Sequence, residues 1–151
     1  MIIIDTREQK NGFIEKYLEG HGIEFMRSKL VVGDYQLYDN PKISVDRKAN
    51  IQELISNVIH QHIRFRSELI RANKLGVRLI ILVQDEHVRN IDDLITWVNP
   101  RITKSPNATT GLQLHRILRT MAREYSTEFI FTSKRDYCAT LLRLLEVDAD
   151  E

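Results

Sequence analysis

Between Gly33 and Lys48 the chain carries two aspartates and a lysine at spacings that suit a pair of strands: Asp34, then Asp46 and Lys48. Folding this stretch about Asn40, with Asp39-Asn40-Pro41 as turn residues, sets Tyr38 opposite Lys42, Gln36 opposite Ser44 and Asp34 opposite Asp46. Asp34, Gln36, Tyr38, Lys42, Ser44, Asp46 and Lys48 then share one face, and Tyr35, Leu37, Ile43, Val45 and Arg47 share the other. Opposed strand residues have Cβ atoms roughly 4.5–5.5 Å apart, and like charges at that spacing repel unless something lies between them. A divalent cation such as Mg²⁺, which takes carboxylate oxygens at about 2.0–2.1 Å, is the natural candidate for that place. Lys48 points to the same face as Asp46, where an ammonium can orient an attacking water or offset charge on a phosphate. The set suits phosphodiester hydrolysis. Asp5 is a candidate further ligand, and Glu8 a ligand or a support for one. The same pattern also describes a solvated strand face on which a lysine neutralises two acids, and spacing alone does not choose between the two.

The elements that must position these residues are legible in the hydrophobic periodicity. Ile2–Ile4 reads as a buried strand. A helix is expected from about Lys10 to Glu19, and a second strand over Ile23–Met26. After the hairpin comes one long amphipathic helix with Ile51, Leu54, Ile55, Val58, Ile59, Leu69 and Ile70 as its stripe, ended by Gly76. Val77–Val83 reads as a buried strand. A short helix over Ile91–Val98, a polar loop over Asn99–Gly111, a helix over Leu112–Tyr125, a strand over Glu128–Thr132 and a helix over Asp136–Leu145 follow. The order predicts one α/β domain over 1–146, a mixed sheet with helices on both faces, and an acidic tail over 147–151.

Bulk properties bound the function classes. Among 151 residues, Lys+Arg number 22 and Asp+Glu 21, a net charge of +1, which excludes a cationic coat that binds nucleic acid by bulk charge. Cys138 is the single cysteine, so no internal disulfide forms and a reducing, cytoplasmic (intracellular) setting is expected. The apolar start is too short for a signal peptide, and no apolar run approaches the roughly 18 residues of a membrane span. His60 and His62 invite a zinc reading, but residues two apart on a helix diverge and no cysteine partners them. His60, Gln61 and Arg64 on the long helix, and Arg101 and Lys104 in the loop, are candidate phosphate contacts. Each is as readily part of an ordinary solvated surface. Arg116, Arg119 and Arg123 form one basic helical stripe.

Three motifs in order, Asp5-Thr6-Arg7-Glu8, Val32-Gly33-Asp34-Tyr35 and Val45-Asp46-Arg47-Lys48, resemble the XPF family of structure-specific endonucleases. That family belongs to the PD-(D/E)XK superfamily, so the resemblance implies a restriction-endonuclease-like fold. It further implies Asp34 and Asp46 as metal ligands, Lys48 as the catalytic lysine, and Asp5 and Glu8 as further acids of the site, with Asp5 joining the metal set. Arg7 and Arg47 match the motif arginines that organise the site or meet phosphate. The implied cofactor is Mg²⁺ or Mn²⁺, and the implied partner is DNA that is branched, flapped or joined at a junction. A homodimer through the nuclease domain is a further implication. This chain departs from the pattern in three ways. Asp46 stands where a glutamate is usual. The acid expected after the E-R-K motif falls on Gln52, with Glu53 one position late. No helix-hairpin-helix module follows Glu146, so the chain looks like the compact prophage or bacterial members. Two rival readings are an inactive DNA-binding or scaffold subunit, whose kind tends to lose the motif acids and lysine retained here, and a Holliday-junction resolvase.

Overall fold

A computed structural model of the protein describes residues 1–147. Strands β1 (Ile2–Ile4), β2 (Phe25–Arg27), β3 (Tyr35–Leu37), β4 (Asn40–Lys48), β5 (Arg78–Gln84) and β6 (Glu128–Thr132) form one sheet in the order β2-β1-β3-β4-β5-β6. The β1–β2, β4–β5 and β5–β6 pairs are parallel, and β3 runs antiparallel to both β1 and β4. Helices α1 (Gly12–Gly20), α2 (Ile51–Ile55), α3 (His62–Leu75), α4 (Gly111–Tyr125) and α5 (Lys134–Leu144) cover it.

Both faces of the sheet are buried, and strand periodicity sorts their residues. On β5, Leu79, Ile81 and Val83 join Leu54, Phe65, Leu69, Leu114 and Leu118 of α2, α3 and α4. Ile80 and Leu82 point the other way, to Ile14 and Leu18 of α1 and Tyr137 and Leu141 of α5. The expected mixed sheet with helices on both faces is therefore present. An unbroken apolar strand needs a helix on each side, since either face left bare would keep it in water. None of the described helices is long and apolar enough to cross a membrane. The expected acidic tail lies outside the described residues except for Val147, which packs against the α1–α5 core.

Two expectations about local structure need correction. The long helix is broken: a π-helical turn over Ser56–His60, closed by the Gln61 N–H to the Ser56 carbonyl at 2.9 Å, separates α2 from α3. Residues 51, 54 and 55 of α2 and 65, 69 and 72 of α3 fall in one 3.6-residue phase, so periodicity reads straight through a break that it cannot register. Ile70, placed on the stripe, is exposed. The hairpin turn is also tighter than expected. Tyr35 pairs with Val45 and Gln36 with Ser44 as the sequence predicts, but the register then shifts and Leu37 pairs with Asn40. Pro41 has no N–H to give the ladder, and the irregularity sits beside it. The Gln36 side chain instead donates to the Pro41 carbonyl at 2.6 Å.

Candidate active site

From Ser44 to Lys48 the polar face of β4 is not solvated. Ser44 is fully buried, Asp46 is 4% exposed and Lys48 7% exposed, beneath α2 and α3. A buried charge must be paired and hydrogen-bonded to persist. The Lys48 ammonium lies 2.8 Å from Asp46 Oδ1 and 5.7 Å from the Phe65 ring centroid. Burial pulls the Lys48 pKa down, but Asp46 and then Asp34 outweigh it, and the ammonium is held charged above its ordinary value.

Asp34 enters from the loop before β3. The Tyr35–Val45 register sets it across from Asp46, and its N–H donates to the Val45 carbonyl at 2.8 Å. One carboxylate oxygen accepts the Arg47 N–H at 2.8 Å. The kink that delivers it depends on Gly33, whose φ is +75° and where a Cβ would meet Ser44 Oγ at 2.1 Å. Neither the conformation nor the space admits a side chain. Burial, then Asp46 and Glu8, push the Asp34 carboxyl well above its ordinary range, against the opposing pull of the Arg47 N–H and Lys48.

The other motif residues are braces around this centre. Arg47 turns to the opposite face, where its guanidinium donates to Glu8 at 2.6 and 3.2 Å and to the Gln9 carbonyl at 2.8 Å. Asp5 is 1% exposed. Its carboxylate accepts the Leu30 N–H at 2.8 Å, the Arg7 Nε–H at 2.8 Å and the Arg7 N–H at 3.2 Å. Burial works against its charge, but these donors outweigh that and hold its carboxyl below the ordinary value. The structure thus gathers Asp34, Asp46 and Lys48, while the Asp5 and Glu8 carboxylates are committed to Arg7 and Arg47.

One acid of the site escapes the motifs. Glu68 of α3 accepts the Gly33 N–H at 3.0 Å, and burial followed by Asp46 raises its carboxyl pKa. It sits among Phe65, Leu69 and Ala72 on the helix's buried side. A carboxylate at a stripe position was the signal that could have found it.

The remaining candidates lie farther out. Gln61 and Arg64 are exposed at and just after the helix break. Arg101 and Lys104 are exposed on the loop before α4. Arg119 of the basic stripe is bound to Asp92, leaving Arg116 and Arg123 of that stripe at the surface. Gln52, at the position of the family acid, donates to Asn99 at 2.8 Å, and Glu53 accepts the Ala49 N–H at 3.2 Å. Cys138 is buried, which pushes its thiol up to about 11, as suits a packing residue.

The donor set fits a hard divalent cation. Asp34, Asp46 and Glu68 outnumber the single ammonium, and the Asp34 and Glu68 carboxyls are raised first by burial and then by the negative charge of Asp46. No group of three or more His, Cys, Asp or Glu placed to hold one metal ion together occurs among the described residues. Mg²⁺ needs none, since it is held through one or two carboxylates and keeps several waters.

The chain resembles solved structures over nearly its whole length. XPF from Aeropyrum pernix superimposes with a TM-score of 0.69 at 18% identity, covering 99% of this chain and 67% of that one. XPF from Aeropyrum pernix in complex with DNA gives 0.67 at 18% identity, covering 99% and 68%. At that identity the likeness speaks for the fold. No curated protein sequence matches. The ERCC4 domain model matches residues 4–145, so the chain belongs to the ERCC4 domain family, the family of the XPF nucleases.

Proposed function

We propose that this protein is a metal-dependent endonuclease that hydrolyses phosphodiester bonds in branched, flapped or junction-containing DNA. The observation that carries the reading is the buried convergence of Asp34 and Asp46 around the Lys48 ammonium, which is 2.8 Å from Asp46. Asp34 and Asp46 would hold Mg²⁺ or Mn²⁺, which when bound would polarise the scissile phosphate and ease deprotonation of a water. Lys48, kept protonated by Asp46, acts as a hydrogen-bond donor and fixed positive charge rather than as a base. It orients the attacking water and offsets charge gathering on the phosphate. Glu68 and Asp5 act on the backbone: one ties down Gly33 beside Asp34, the other ties Arg7 to Leu30. Glu8 holds Arg47, whose own N–H steadies Asp34. Arg7, Arg64 and Gln61, exposed on the surface, are where the DNA backbone approaches, and a second copy pairing through this domain would widen that surface.

The test is cleavage of labelled single-strand, duplex, flap, fork and four-way junction DNA with Mg²⁺, Mn²⁺ or EDTA. Cutting is expected with either metal and not with EDTA. Asp46→Asn and Lys48→Ala are expected to lower it at least about 100-fold, the scale of losing one catalytic electrostatic group. Cutting that survives either substitution removes that residue from the mechanism. Binding without cutting under every condition replaces the reading with that of a DNA-binding scaffold.

A further inference from the structure

The loop between the 3₁₀ turn over Ile91–Thr96 and α4 is closed by one side chain. Asn99 is 3% exposed. Its amide donates to the Thr109 carbonyl at 2.8 Å, and its oxygen accepts the Arg101 N–H at 3.0 Å, so the two ends of the loop meet on Asn99. The same oxygen accepts the Gln52 amide at 2.8 Å. Gln52 lies in the first turn of α2, one turn of chain beyond Lys48. The exit of the loop is fixed as well: Thr110 and Gln113 cap α4 reciprocally, and Gly111 passes so near the Leu94 carbonyl that a Cβ there would lie 2.1 Å from its oxygen.

What this frame presents is cationic. Pro100, Arg101, Thr103, Lys104, Ser105, Pro106 and Asn107 are exposed. Neither Arg101 nor Lys104 forms an ion pair among the described residues. From Leu94 to Arg123 the chain contains no acidic residue, although its net charge is only +1. A loop kept for solubility needs neither a buried latch to α2 nor freedom from acids.

We propose that Pro100–Thr109 is an arm that grips the phosphate backbone of the DNA strand beside the scissile bond, with Asn99 as the positioning residue that holds Arg101 and Lys104 against α2. The inference rests on the nuclease reading above and adds to it the element that holds the strand. It also gives Gln52 a role. An acid there could not donate to the Asn99 oxygen, so the departure from the family pattern exchanges a carboxylate for a latch.

The experiment measures binding of a fluorescent forked duplex in EDTA against salt, and cleavage in Mg²⁺. It compares wild type, R101A/K104A, N99D and the triple variant. Asn99→Asp keeps shape and both accepted bonds, loses the donation to Thr109 and sets a carboxylate oxygen against the Thr109 carbonyl. Losing two phosphate contacts is expected to lower the slope of log K against log salt by roughly 1.8. KM is expected to rise more than kcat falls. N99D is expected to lower the slope likewise, and the triple variant to lose nothing beyond R101A/K104A, since dependent groups do not add. R101A/K104A with wild-type slope and KM, while wild type still cuts, overturns the arm and leaves the nuclease standing. N99D that matches wild type, or whose loss adds in full to that of R101A/K104A, overturns the latch. A wild-type protein that neither binds nor cuts any of these DNAs overturns both readings.

Discussion

Replacing Lys48 by methionine isolates the charge on which the site is built. The two side chains are nearly isosteric, and a thioether beside the Phe65 ring packs favourably, so the change removes an ammonium without opening a cavity. That ammonium is 2.8 Å from Asp46 Oδ1, with the two side chains 9% and 6% exposed. Removing one partner of a buried pair costs roughly 3–5 kcal/mol, because the other charge stays buried and unpaired. At about 3 °C per kcal/mol for a domain of this size, Tm should fall roughly 9–15 °C. The measurement is calorimetric or circular-dichroism melting in EDTA at neutral pH. The sign with pH is determined. Burial already raises the Asp34 carboxyl well above the ordinary 3.8, and Lys48 opposes that together with the Arg47 N–H. Without it the folded state holds these protons still more tightly than the unfolded state, so the deficit should shrink as pH falls toward 3.8 and be greatest above the raised value. Mg²⁺ at about 100 times its Kd should return about 2.7 kcal/mol. A melting point within about 3 °C of wild type, roughly 1 kcal/mol, would mean that the pair behaves as a solvated surface bridge, and the argument from burial would fail.

Three further outcomes follow from the same structure. Asp34→Asn retains an acceptor for the Arg47 N–H and removes a carboxylate whose folded pKa is raised. The variant should melt higher than wild type in EDTA at neutral pH, by an advantage that vanishes as pH falls to 3.8, and should not cut DNA; an unchanged or lower melting point argues against surplus negative charge at the site. Asp5 is the opposite case, since its folded pKa is depressed. Asp5→Asn should destabilise the protein above pH 3.8, and the difference should disappear as pH drops through the folded value, in denaturant titrations across that range. Gly33→Ala should cost at least about 1–3 kcal/mol from the left-handed backbone alone, with a further loss from the contact with Ser44, and should lower cleavage by displacing Asp34; full activity at wild-type stability would show that the kink tolerates a side chain.

The sequence by itself determined the sheet and much of the site's register. Period-two alternation on β4 separates Ile43 and Val45 from Ser44, Asp46 and Lys48, and the structure keeps that division. It keeps it because shifting a strand by one residue would turn every apolar side chain to the wrong face. The continuous apolar run of β5 likewise required helices on both sides, and they are there. These features are local, and local pattern specifies them.

Tertiary structure decided whether the polar face of β4 was solvated or enclosed, since that depends on α2 and α3 packing over it. It also decided which acids face one another and which are used up on arginines. Asp5 and Glu8 read in the motifs as further acids of the site, and in the packed molecule their carboxylates are committed to Arg7 and Arg47. Glu68, 34 residues beyond Asp34 in the sequence, reaches Gly33 only because α3 folds back over the sheet. The π turn was invisible because the helices on either side of it keep one phase. Alternation and periodicity record which way a side chain points. What it meets there depends on segments distant in the chain, and only the packed molecule brings those together.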